Sequence, residues 1–110
     1  MSDSETAITL AAVGDVSGRG DDADAKFDLV RSLLTEADIT FGQLEYPLAN
    51  SGEQQLAGGA GFRSANAPGR LDPKASSRVL KRGGFNLMSH AGNHVMDHGE
   101  RNMFDTMGAI

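Results

Sequence analysis

The 110 residues contain no cysteine and no tryptophan, a single tyrosine and only three prolines. Without cysteine there is no disulfide framework, no thiolate metal ligand and no cysteine nucleophile, so any bound metal must rely on oxygen and nitrogen donors. Long apolar runs are also missing. The stretch Ile8 to Val13 is far shorter than the roughly 20 residues that a membrane span needs, and too short for the apolar region of a signal peptide. The expected chain is therefore soluble and cytoplasmic, with no membrane span. Basic residues are in the minority, ten against fifteen acidic ones for a net charge of -5, which leaves no positive surface to draw the phosphates of nucleic acid. What is abundant is glycine, at fourteen residues. Many tight turns around a modest core suit a site assembled on loops.

The length allows one domain or part of one, at the lower edge for a sheet with helices on both faces. Residues 1–7 read as a polar tail and residues 8–110 as the structured part. Ile8-Thr9-Leu10-Ala11-Ala12-Val13 is a nearly continuous apolar run stopped by Gly14-Asp15, the pattern of a buried parallel strand. Phe27, Val30, Leu33, Leu34 and Ala37 recur at helical spacing behind Asp22 and Asp24, either of which suits an N-cap. That predicts a helix of roughly three turns. Ile39 to Leu44 reads as a second strand, ended by Glu45 and Pro47. The glycine-rich segment 49–70 reads as a long loop. Asp72-Pro73 then opens a helix with Ala75, Val79 and Leu80 on its apolar stripe and Lys81-Arg82-Gly83 at its end. Phe85 to Met88 reads as a third strand, and Met103, Phe104, Met107 and Ile110 as a final helix after Gly99. The order βαβαβα makes this an α/β chain.

Ligands of a parallel sheet gather outside the carboxyl ends of its strands. Here the first strand leads to Asp15, the second to Glu45, and the third through Gly92 to Asn93, His94 and Asp97. Two carboxylates, a neutral carbonyl oxygen and an imidazole suit divalent manganese, magnesium, zinc or iron. Each of these residues also has a plainer reading. Glycine-aspartate after a strand commonly makes only a turn, Glu45 sits where a loop carboxylate would, and Asn93 suits a left-handed turn.

Taken in order, the residues match a known pattern. Gly14-Asp15 with Gly18-Arg19, Leu44-Glu45 with Pro47, and Gly84-Phe85 leading to Gly92-Asn93-His94, Asp97 and Gly99 together resemble the signature of the CapA proteins. These are bacterial proteins of capsule and poly-γ-glutamate synthesis, a family similar to the calcineurin-like metallophosphoesterases. The resemblance runs from about Ile8 to the last residue. It implies half of a metallophosphoesterase-like αββα sandwich, incomplete at the carboxyl end. It implies Asp15, Glu45 and Asn93 as metal ligands for one or two divalent ions, His94 as a catalytic acid or charge stabiliser, and Asp97 as the residue that orients His94. The expected activity is hydrolysis of a phosphoester or an amide, in the synthesis, release or export of an anionic polymer, with polymer synthase subunits as further partners.

Two departures bear on that expectation. Ser17 stands where phosphoesterases place a histidine two residues after the first aspartate, which removes one ligand of a two-metal pair. Gln43 replaces the asparagine usual before Leu-Glu, at a position expected to hydrogen-bond near the ligands. The alternatives are a non-catalytic accessory or polymer-binding protein on the same fold, favoured by Ser17, and a non-hydrolytic acid/base enzyme acting on a peptide. His90, His94 and His98 are spaced by four, but Gly92 and Gly99 argue against one continuous helix carrying all three. His90 and His98 are expected at the surface or behind the ligands. Arg19-Gly20-Asp21 reads as a chance tripeptide, and Gly58 to Gly61 lacks the lysine of a phosphate-binding loop.

Overall fold

The computed structural model describes residues 7–17, 25–48 and 73–110. Its elements follow the expected order: β1 (Leu10–Val16), α1 (Arg31–Thr35), β2 (Ile39–Leu44), α2 (Pro73–Gly83), β3 (Leu87–Ser89) and α3 (Gly99–Ala109). The three strands form one parallel sheet in the order β1-β2-β3, with β2 in the centre. Strands that add in sequence order with right-handed crossovers place their helices on a single face. In agreement, α1 packs on α2 and α2 on α3.

Alternation along β2 separates the two faces. Thr40 and Leu44 are buried, at 0% and 1% exposure, whereas Ile39 is 38% exposed. The helix-side core gathers Val16, Leu34, Leu44, Leu48, Leu80 and Phe85. On the opposite face the register aligns Leu10 with Ile39 and Phe41 with Leu87. There Leu10 and Leu87 remain 65% and 52% exposed.

The start of the sheet is laced by side chains. The Thr9 N–H and hydroxyl both donate to Asp38 Oδ2 at 2.8 Å, and these bonds hold the Asp38 carboxyl below its ordinary pKa, since they stabilise its charged form. Asn86 extends the ladder just ahead of the first residue of β3. Its Oδ1 accepts from Thr40 N at 2.8 Å and its Nδ2 donates to the Asp38 carbonyl at 3.0 Å.

Several boundaries differ from the sequence expectation. β1 starts later and runs through Gly14-Asp15, because Asp15 and Val16 still pair with Gln43 and Leu44 after a register shift that begins at Ala12. α1 has five residues rather than three turns. Of its expected stripe only Leu34 is buried, while Leu33 is 67% exposed, so little packing energy extends the helix. Its N-cap position is Val30, which offers no side-chain bond, and Asp22 and Asp24 lie outside the described residues. The carbonyl of Leu34 is taken by the buried Thr40 hydroxyl, which ties α1 to β2.

α2 matches its expected span from Pro73, while Asp72 and the loop 49–70 lie outside the described residues. It ends in a Schellman motif: Gly84 N–H donates to the Lys81 carbonyl at 3.0 Å and Phe85 N–H to that of Leu80 at 3.2 Å. Gly84, at φ 103°, takes the left-handed position that the motif requires. Phe85 thus serves the helix end and the core, meeting Phe27 edge-on with centroids 5.3 Å apart, and β3 starts two residues later than expected. α3 forms where expected with its faces exchanged. Asn102 and Thr106 are buried, and Phe104 and Met107 are each 56% exposed.

Candidate functional site at the carboxyl edge of the sheet

The carboxyl ends of all three strands meet along one edge, and each carries residues singled out in the sequence. Asp15 lies inside β1 rather than after it, exposed, and the register shift sets it beside Gln43. Glu45 follows β2 directly. It is half-buried, and its N–H donates to the Val16 carbonyl at 3.0 Å, so the two carboxylates stand on neighbouring strand ends.

Beyond β3 the chain passes Gly92 and makes a run of tight turns to Gly99. Bonds from Val95 N to Gly92 O at 3.2 Å and from Asp97 N to His94 O at 3.1 Å hold them. Asn93 stands exposed on these turns. His94 Nδ1 lies 2.7 Å from Asp97 Oδ2, with the side chains 31% and 24% exposed. An ionised carboxylate only accepts, so Nδ1 carries the proton of this bond and Nε2 is the nitrogen left to act on a bound group.

Two contacts join the turns to β2. A side chain at Gly92 would come within 2.9 Å of Gln43 Nε2, so glycine permits the close approach there, and Gln43 itself donates to the Leu44 carbonyl at 3.3 Å. The Tyr46 ring lies over His94 with centroids 4.6 Å apart and planes 34° from parallel. The sequence reading passed over Tyr46, although the sole tyrosine between Glu45 and Pro47 was a usable signal.

The other histidines stand apart from this pair. His98 precedes α3, and Gly99 turns with φ 82°, so the three histidines do not share one helix. His90 is half-buried, and among the described residues neither ring nitrogen has a hydrogen-bond partner of good geometry. Desolvation lowers its pKa, while the Leu44 carbonyl pulls weakly the other way. His90 lines a cavity of about 590 Å³ between β3 and α3, together with Met88, Val95, Met103 and Met107. Among the described residues, no group of three or more histidine, aspartate or glutamate side chains is arranged to hold a metal ion. No helix among them is long and apolar enough to cross a membrane.

A parallel three-stranded sheet with helices packed on it, carrying carboxylates and a carboxylate-held imidazole at its carboxyl edge, defines an α/β protein. The chain belongs to the bacterial capsule synthesis protein family PGA_cap, whose model matches residues 9–110. A search of curated proteins returned no match. Family membership places the chain in capsule synthesis.

Proposed function

We propose that the chain carries the acid/base and metal-binding edge of a metal-dependent hydrolase that acts in the synthesis, release or export of capsule or poly-γ-glutamate. In this reading the sheet and its single helical layer are half of a metallophosphoesterase-like αββα sandwich. The observation that carries the reading is the 2.7 Å pair of His94 and Asp97, under the Tyr46 ring at the carboxyl edge of a parallel sheet.

The donor chemistry fits a hard divalent cation. Asp15 and Glu45 would supply anionic oxygens from adjacent strands and Asn93 an amide oxygen. When bound, such an ion would polarise a substrate oxygen or activate a water. Asp97 keeps a proton on His94 Nδ1 and fixes the ring, so that Nε2 can give a proton to the leaving group or stabilise charge on it. The bond broken is a phosphoester or an amide of an anionic polymer.

A specific test separates the two duties. In the protein that carries residues 1–110, Asn93→Ala should lower metal occupancy and turnover together. His94→Ala should leave the metal bound and reduce turnover by roughly a hundredfold or more. Ser17, standing where phosphoesterases have a histidine, favours a second reading, a polymer-binding accessory protein on the same fold. That reading would take over if His94→Ala supports polymer production as well as the parent and the purified parent cleaves neither phosphodiester nor poly-γ-glutamate with manganese, zinc or iron supplied.

A further inference from the structure

We propose that Tyr46 is a positioning residue for His94, and that the buried hydroxyl of Thr106 holds the Tyr46 segment in place to do it. The proposal rests on the reading of His94 as the acting imidazole.

A histidine held by one hydrogen bond is fixed at one atom only. Asp97 pins Nδ1, but that bond alone lets the ring pivot about it. The Tyr46 ring, 4.6 Å away and tilted by 34°, supplies the second constraint, since it limits the plane in which the imidazole can lie.

Tyr46 can impose this only if its own backbone is fixed, and it is fixed on both sides. Before it, Glu45 N–H is bonded to β1 through the Val16 carbonyl at 3.0 Å. After it comes Pro47, which restricts the backbone of the residue that precedes it. Leu48 follows, fully buried. Leu48 N–H donates to Thr106 Oγ1 at 3.0 Å, and that hydroxyl faces the Leu48 carbonyl at 3.1 Å and the Asn102 carbonyl at 2.7 Å. Thr106 has 0% exposure, so water does not compete for these bonds. This clamp also accounts for the polar face that α3 turns inward. The helix turns Thr106 inward so that its oxygen accepts from the buried Leu48 N–H, while its single proton is shared between the Leu48 and Asn102 carbonyls.

The test reads the protonation site of His94 by nitrogen NMR, alongside turnover, in the protein that carries residues 1–110. The parent and Tyr46→Phe should show the proton on Nδ1 in neutral His94. Tyr46→Leu, which keeps bulk but removes the ring, should let the imidazole leave Asp97 and lose the Nδ1 proton signature. Turnover of Tyr46→Leu should fall about tenfold to a hundredfold with KM and metal occupancy unchanged, as expected for a misplaced catalytic group. Thr106→Val, which keeps shape and removes the hydroxyl, should move the His94 signals the same way while Tyr46 is intact. Retention of the Nδ1 proton and full turnover in Tyr46→Leu would overturn the proposal. Loss of that proton in Tyr46→Leu, with turnover insensitive to His94→Ala, would uphold the positioning and instead refute the hydrolase reading.

Discussion

His90 is a residue whose surroundings do not meet its chemistry. An imidazole with both nitrogens buried and, among the described residues, only the Leu44 carbonyl in poor geometry to face it is tolerated in its neutral form and disfavoured when charged, which is why desolvation lowers its pKa from the ordinary 6.5. The sign of the consequence follows from proton linkage. Below pH 6.5 the unfolded chain takes up this proton more readily than the folded one, so the folded state loses stability as pH falls through that range. Denaturant midpoints of the protein that carries residues 1–110, taken at pH 7.5 and pH 5.5, should show a drop that is smaller in His90→Leu. An equal drop in parent and variant would show that the acid sensitivity lies elsewhere. Thr106 and Asn102 present the opposite case, polar side chains buried with their bonds made, and their position on α3 is explained by the carbonyls they satisfy.

At the scale of elements, the ends decide more than the middles. α2 was legible because proline at its first position and glycine after its last turn are local signals that need no partner. The critical glycine is Gly84, one residue beyond the expected end. Its φ of 103° belongs to the left-handed region, and a side chain there would lie 3.0 Å from Thr35 Cγ2 and 3.2 Å from Leu34 Cβ. Gly84→Ala should therefore cost about 1–2 kcal/mol of stability through the left-handed backbone alone. Gly14→Ala, with open space around the new methyl group, should be neutral or stabilise by up to about 1 kcal/mol. Urea midpoints of the two variants beside the parent would check the contrast. α1 and α3 illustrate why a periodic stripe is weaker than a cap. An apolar stripe marks a face that needs burying, and only packing shows whether a partner arrives.

At the scale of the molecule, among the described residues the helices occupy one face of the sheet and none packs on the other. Leu10, Ile39 and Leu87 line that face at 65%, 38% and 52% exposure, and parallel sheets are ordinarily covered on both sides. β1 and β3 are the outer strands of the described sheet, with backbone groups available for further pairing. Residues 1–110 expressed alone are therefore expected to associate, or to melt without a sharp transition. Calorimetry at several concentrations with sedimentation alongside would test this, and a cooperative, concentration-independent transition of a monomer would contradict it.

The sequence by itself determined the order βαβαβα, the centre of β2, the start of α2 and the family, because these depend on local periodicity, turn residues and short motifs read along the chain. It also drew attention to Asp15, Glu45, Asn93, His94 and Asp97 from their places after predicted strands. Only the tertiary structure decided that β1 continues through Asp15, that all three helices share one face, and that α3 buries Thr106 rather than Phe104. It alone revealed Tyr46 over His94. The physical reason is the same in each case: a register shift, a buried hydroxyl's bonds and a ring contact between residues 48 positions apart are set by what approaches through space, and periodicity along one segment carries no record of that approach.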